Sequence, residues 1–201
     1  MFASLPLAAA LLLPGPPPAE GFAVGDPPTV AGRTAETWAE ELSHENRIVR
    51  NRAVLSLRAF GAAGAPHLAE ALSSDDEAVR FWAAEGLGMF PSAPAAQDAL
   101  PALRTLMQEG AVAERLAAAF AVARLGDPGP AVPVLSEGLK HPSRGVAVTS
   151  ADFLARLGPT AEAAADALRE AARNHDDYHV QYRSEQALAA VTGQDSTQEK
   201  K

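Results

Sequence analysis

The chain has 201 residues, 47% hydrophobic but only 5% aromatic, with a formal charge of −8. That is enough apolar material for one continuous core, while the acidic balance and a pI near 5.1 argue against a phosphate-backbone partner, because nucleic-acid binders display a basic stripe. The absence of cysteine excludes disulfides, thiol nucleophiles, zinc–thiolate sites and thioether-linked chromophores on this chain.

Residues 1–23 differ in kind from the rest of the chain. An apolar run over residues 5–13 is too short to span a bilayer, and Pro14-Gly15-Pro16-Pro17-Pro18 and the small-residue stretch Gly21-Phe22-Ala23 come after it. This reads as a secretory signal peptide cleaved after Ala23, although no Lys or Arg precedes the run. The expectation is an exported protein, periplasmic or extracellular, without stable membrane insertion once the leader is removed; a cytoplasmic location is the alternative. Residues 24–32 read as a linker, since Gly25-Asp26-Pro27-Pro28 blocks regular structure.

From residue 33 to residue 193 one pattern recurs five times, starting at Val49, Val79, Glu114, Val146 and Val180. Four places on stands a small residue: Ala53, Ala83, Ala118, Ser150 and Ser184. Eight places on stands Leu57, Leu87, Val122, Leu154 or Leu188, and three further Phe60, Phe90, Leu125, Leu157 or Val191. Those offsets trace one helix face, and the next residue, Gly61, Pro91, Gly126, Gly158 or Thr192, marks the helix end. Seven residues before each of the first four starts, Leu42, Leu72, Met107 or Leu139 closes a shorter apolar pattern. Each unit is therefore a helix, a polar turn and a helix, and the period of about 30–35 residues is that of a stacked array. Alanine carries the packing in place of aromatics, with the best helix propensity of any residue. Residues 194–201 are polar and read as a disordered tail.

The run Ala78-Val79-Arg80, then Ala83-Ala84 and Leu87-Gly88, and the run Gly158-Pro159-Thr160-Ala161 leading into Ala164 and Leu168 resemble the HEAT and HEAT-like repeats, in particular the short bacterial form also found in bilin lyases. Copy three departs with Glu114 in place of Val, and copy five with Gln181 in place of Arg. The resemblance implies an all-α, right-handed α-α superhelix of about five helix pairs that binds partners, with each unit touching only its neighbours.

Candidate functional residues can be placed on that frame. Arg50, Arg80 and Arg115 share one offset in consecutive units, with Glu45, Asp75 and Glu109 five or six residues earlier; these are expected to form a structural charge ladder along the stack. In the resembled family the second helix of each pair lines the concave face. Positions two, six and ten of each copy should then face a partner: Phe81, Glu85 and Met89 with Trp82 adjacent; Leu116, Phe120 and Arg124; Val148, Asp152 and Arg156; Tyr182, Gln186 and Ala190; and Asn51, Leu55 and Ala59. Exposed aromatics and Met in a groove signal a protein partner, whereas the alternative places Phe81, Trp82 and Phe120 in the core among small neighbours.

Metal chemistry finds little footing. His44, His141 and His175 sit in turns of units one, four and five, too far apart at about 8–10 Å per packed helix to share an ion. His175, Asp176, Asp177 and His179 are local, yet they suit a capped helix start and lack a further ligand. Nucleophile-elbow, phosphate-loop and dinucleotide motifs are missing from the sequence. The expectation is a monomeric protein-interaction or scaffold module with no cofactor. An auxiliary or lyase-like enzyme domain is the alternative, and a nucleic-acid-binding solenoid is a more distant one.

Overall fold

The computed structural model describes residues 27–193. The leader assigned to residues 1–23, the start of the linker and the tail assigned to residues 194–201 lie outside them. Within the described residues the chain is an all-α solenoid of five helix pairs. The first helices are α1 (Ala35–Glu40), α3 (Ala65–Ala71), α5 (Pro94–Asp98) running into α6 (Leu100–Glu109), α8 (Pro128–Gly138) and α10 (Ala165–Asn174). The second helices are α2 (Arg47–Ala59), α4 (Glu77–Met89), α7 (Val112–Arg124), α9 (Arg144–Leu157) and α11 (Tyr178–Thr192).

The helix limits have local causes. Asn46, Asp76 and Asp177 cap α2, α4 and α11, each accepting a backbone N–H two residues on at 2.8–2.9 Å. In α7 the capping runs backwards: Glu114 Oε2 accepts the N–H of Ala111 at 2.6 Å. Gly61, Gly126 and Gly158 adopt φ of +65°, +100° and +56° after α2, α7 and α9, a region L side chains disfavour. In the fifth unit that role falls one residue later than the pattern places it: α11 includes Thr192 and stops at Gly193, φ +67°.

Burial follows the repeat register. Ala53, Ala83, Ala118, Ser150 and Ser184 are all completely buried, as are Leu57, Leu87, Val122 and Leu154. Leu188, in the last helix pair, is only partly covered. At the opposite end Trp38 closes the first unit. Its indole donates to the Val30 carbonyl at 3.0 Å, and the guanidinium groups of Arg33 and Arg52 lie 4.2 and 5.3 Å from its ring centre.

The second helices pack directly on one another along the stack, while the first helices are splayed, which makes the second-helix layer the inner, concave one. Its middle member, α7, is sunk deepest. Every residue from Leu116 to Ala123 is buried, and a Cβ on Gly88 would lie 2.9 Å from Ala121 Cα, so α4 and α7 are in backbone contact. Alanines at positions 117, 118, 119, 121 and 123 let the flanking helices close over α7, so units two and four touch across unit three. Arg156 Nη1 stands 2.6 Å from Glu85 Oε1, and the rings of Phe81 and Phe153 are 6.5 Å apart. The expectation that each unit touches only its neighbours fails here, because the curvature is tight and the intervening side chains are small. No helix among the described residues is long and apolar enough to cross a membrane.

Candidate partner-binding surface

The charge ladder exists, with different acids from those the spacing suggests. Arg50 meets Asp76 at 2.5 Å and also donates to the carbonyls of His44 and Glu45 at 2.8 Å. Asp75 is not part of it: the extended backbone of Asp76 sets that carboxylate, one residue later, at the helix N-cap. Arg80 meets Glu114 at 2.6 Å and the Ser74 carbonyl at 2.6 Å. Glu114, the apparent defect in copy three, is thus a buried rung. In unit four Ala147 stands at the Arg offset, and Arg144 supplies the contact to Asp177 at 2.5 Å instead. Each of these carboxylates joins the preceding unit's arginine to its own helix start. Arg115 breaks the series: its Nε donates to the Met107 carbonyl at 3.2 Å, and no carboxylate lies within ion-pair distance among the described residues.

Ion contact tunes two of the rung acids, Asp76 and Asp177. For Asp76, burial alone would raise the carboxyl pKa, but Arg50, the N–H of Ala78 and Arg47 outweigh it and hold it below the ordinary aspartate value. The hydrogen bond from Arg144 is the main cause of the lowered Asp177 value, helped by the N–H groups of His179 and Val180.

The centre of the concave layer is closed. Leu116 and Phe120, expected to face a partner, are each 2% exposed and belong to the core. Phe153 stacks on Phe120 at 4.8 Å, and the Arg156 guanidinium covers the same ring at 4.2 Å, so long side chains from unit four roof over unit three. Glu85 is also buried, between two arginines. Arg156 makes an aligned hydrogen bond to Oε1, while Arg58 Nη2 lies 2.9 Å from Oε2 without hydrogen-bond alignment. Arg58 is spread over the Trp82 ring at 4.9 Å, and burial pushes its pKa down. Phe81 and Trp82 are half-buried, packed edge to face at 4.9 Å. Arg58 and Phe153 are not among the expected face residues. They stand at offsets nine and seven of their copies; Arg58 reaches Glu85 and Trp82 from unit one, and Phe153 reaches Phe120 and Phe81 from unit four.

Either side of that closed centre the layer is open. Leu55 and Met89 are each 42% exposed toward the N-terminal side, and Tyr182 is 46% and Tyr178 71% exposed on α11. Tyr178 and Tyr182 lie nearly parallel with centres 6.5 Å apart, and Gln186 donates to the Tyr182 hydroxyl at 2.8 Å. Arg124 is exposed and donates to the Gly88 carbonyl at 3.2 Å; Asp152 and Arg183 pair at 3.7 Å. Between the N-terminal halves of α4, α7 and α9 lies a cavity of about 380 Å³ whose lining includes Phe81, Leu116, Val146 and Arg47. Of the expected face residues, Leu55, Ala59, Met89, Arg124, Arg156, Tyr182 and Gln186 are therefore exposed, Asn51, Phe81, Trp82, Val148, Asp152 and Ala190 intermediate, and Glu85, Leu116 and Phe120 buried.

The turn histidines have a different occupation from metal binding. Nδ1 of His44, His141 and His175 accepts the N–H of Asn46, Ser143 and Asp177 respectively, at 2.9–3.1 Å, which folds each inter-helix turn. Around His175, Asp177 is committed to Arg144 and to the N–H of His179. No group of three or more His, Asp or Glu among the described residues is placed to hold a metal ion.

Comparison with known proteins places this architecture. The family described as HEAT repeats matches residues 35–123 and again 101–189. Among solved structures, an engineered protein superposes with a TM-score of 0.53 at 22% identity, covering 80% of each chain. The complex of CpcE and CpcF of phycocyanin lyase from Nostoc sp. PCC7120 superposes with a TM-score of 0.55 at 23% identity, over 88% of this chain and 71% of that one. At such identities the likeness is one of fold. No curated protein matches the chain by sequence.

Proposed function

The chain belongs to the HEAT-repeat family, and from that premise we propose that it is a protein-interaction module that holds a partner polypeptide against the open parts of its second-helix layer. The observation that carries this reading is the set of large apolar side chains exposed on the second helices: Ile48, Leu55, Met89, Val112, Tyr178 and Tyr182. Tyrosine and methionine are adaptable contact residues, and the cavity beside Phe81 offers room for one inserted apolar side chain.

The reading extends to export: the leader at residues 1–23 would bring the module to a partner beyond the cytoplasmic membrane, and a reporter fused behind Ala23 tests that part separately. The surface is tested by placing a photo-crosslinking amino acid at Met89, at Tyr182 and, as a control, at the exposed Glu170 on the first helix α10. Crosslinks to one defined protein from the first two positions and none from the third are expected. Equal crosslinking from Glu170, or none from Met89 and Tyr182, removes the reading. Phe120→Ala belongs beside these as a structural control, since truncating a buried aromatic costs folding about 3–5 kcal/mol.

A further inference from the structure

The third junction of the ladder differs from the other three in a way that suggests a ligand. Arg115 holds the rung offset in α7, but Ser143 stands where units two and five carry Asp76 and Asp177. A serine hydroxyl is uncharged and too short to reach an arginine of the preceding unit. Beside Arg115 lies a cavity of about 250 Å³, lined also by Lys140, His141, Val112, Leu116 and Pro142. Its electrostatics favour a single negative charge. Lys140 is tied only loosely to Glu137, at 3.5 Å between two exposed side chains. His141 accepts at Nδ1, which puts the proton of the neutral ring on Nε2 as a donor. Glu137 also lines the cavity, so a doubly charged phosphate would meet repulsion that a carboxylate meets less.

We propose that this cavity binds an aspartate or glutamate side chain of a partner polypeptide, completing at the third junction the ion contact that the chain supplies for itself at the others. A guanidinium presents a planar fork matched to a carboxylate. Apolar wall residues Val112, Leu116 and Pro142 would take the neighbouring side chain of a peptide, a contact unavailable to a free small acid. The site lies at the helix–helix turns and is separate from the exposed tyrosines, so it stands or falls independently of the surface proposed above.

The experiment uses the full chain, isotopically labelled for NMR, titrated with the capped dipeptide acetyl-Asp-Leu-amide, its Asn counterpart and sodium acetate. Saturable shifts of the Arg115 side-chain and His141 signals are expected with the Asp peptide, and affinity about tenfold lower with the Asn peptide, the size of one hydrogen bond to a charged group. Arg115→Gln should lose the response. Ser143→Asp should lose it too, because the chain then supplies its own carboxylate, and its melting temperature should not fall. The proposal is overturned by the same response to acetate at equal concentration, by equal binding of the two peptides, by no saturable shift, or by binding retained in folded Arg115→Gln.

Discussion

Replacing Glu85 with Gln keeps the shape of the side chain and removes only its charge, and it strikes the contact that spans unit three. The size of the effect can be built from its two halves. Arg156 is aligned at 2.6 Å, but its side chain is 38% exposed, so solvent screening reduces that half to about 0.5 kcal/mol. Arg58 is only 17% exposed and its charge is left without a counter-ion, yet its contact lacks hydrogen-bond alignment; about 1.5 kcal/mol is reasonable, below the usual cost of breaking a fully buried pair. Together these give about 2 kcal/mol, which for a domain of this size lowers the melting temperature by about 4–8 °C. Circular-dichroism melts of the single variants Glu85→Gln, Arg58→Gln and Arg156→Gln and of the two double variants yield the coupling for each half. A Glu85→Gln melt within about 1 °C of the parent, or a larger coupling to Arg156 than to Arg58, would refute the reasoning.

Two further outcomes test the packing and the ladder. Gly88→Ala should destabilise by about 1 kcal/mol, because overpacking against the Ala121 backbone exceeds the gain in helix propensity, whereas Gly86→Ala should be near neutral in a thermal melt, since its close neighbours are the flexible Arg58 and Leu68 side chains. Asp76 and Asp177 have carboxyl pKa values lowered by folding, so their stabilisation is present above the ordinary aspartate value, about 3.9, and is lost as pH falls through the lowered folded values. Melting temperature measured from about pH 6 to about pH 2.5 should therefore drop below about pH 4, and the drop should be shallower in Asp76→Asn and Asp177→Asn; parallel curves would contradict it.

Much of the fold is legible in the sequence because the register repeats. A small residue at Ala53, Ala83, Ala118, Ser150 and Ser184 reports one physical requirement, close helix approach, met five times. The surface is less legible, because exposure depends on what a neighbouring unit places overhead. Phe120 occupies a face position within its own helix, and nothing within its own unit announces that Arg156 and Phe153 will cover it. The choice between Asp75 and Asp76 turns on a backbone conformation rather than on residue type, since both acids lie in the same turn. Glu114 is legible only as an exception, and its carboxylate explains why Val is replaced: it serves Arg80 and the start of α7 together.

The bridge between units two and four has a mechanical consequence. A stack whose members grip only adjacent members behaves as a chain of springs in series, each free to twist or fray on its own. Tying α4 to α9 over α7 adds a spring in parallel, so the middle three helix pairs must bend and yield as one stiff block. Leu55 and Arg47 sit on the pair before that block and Tyr178 and Tyr182 on the pair after it, so the stiff block fixes the spacing between those two exposed regions.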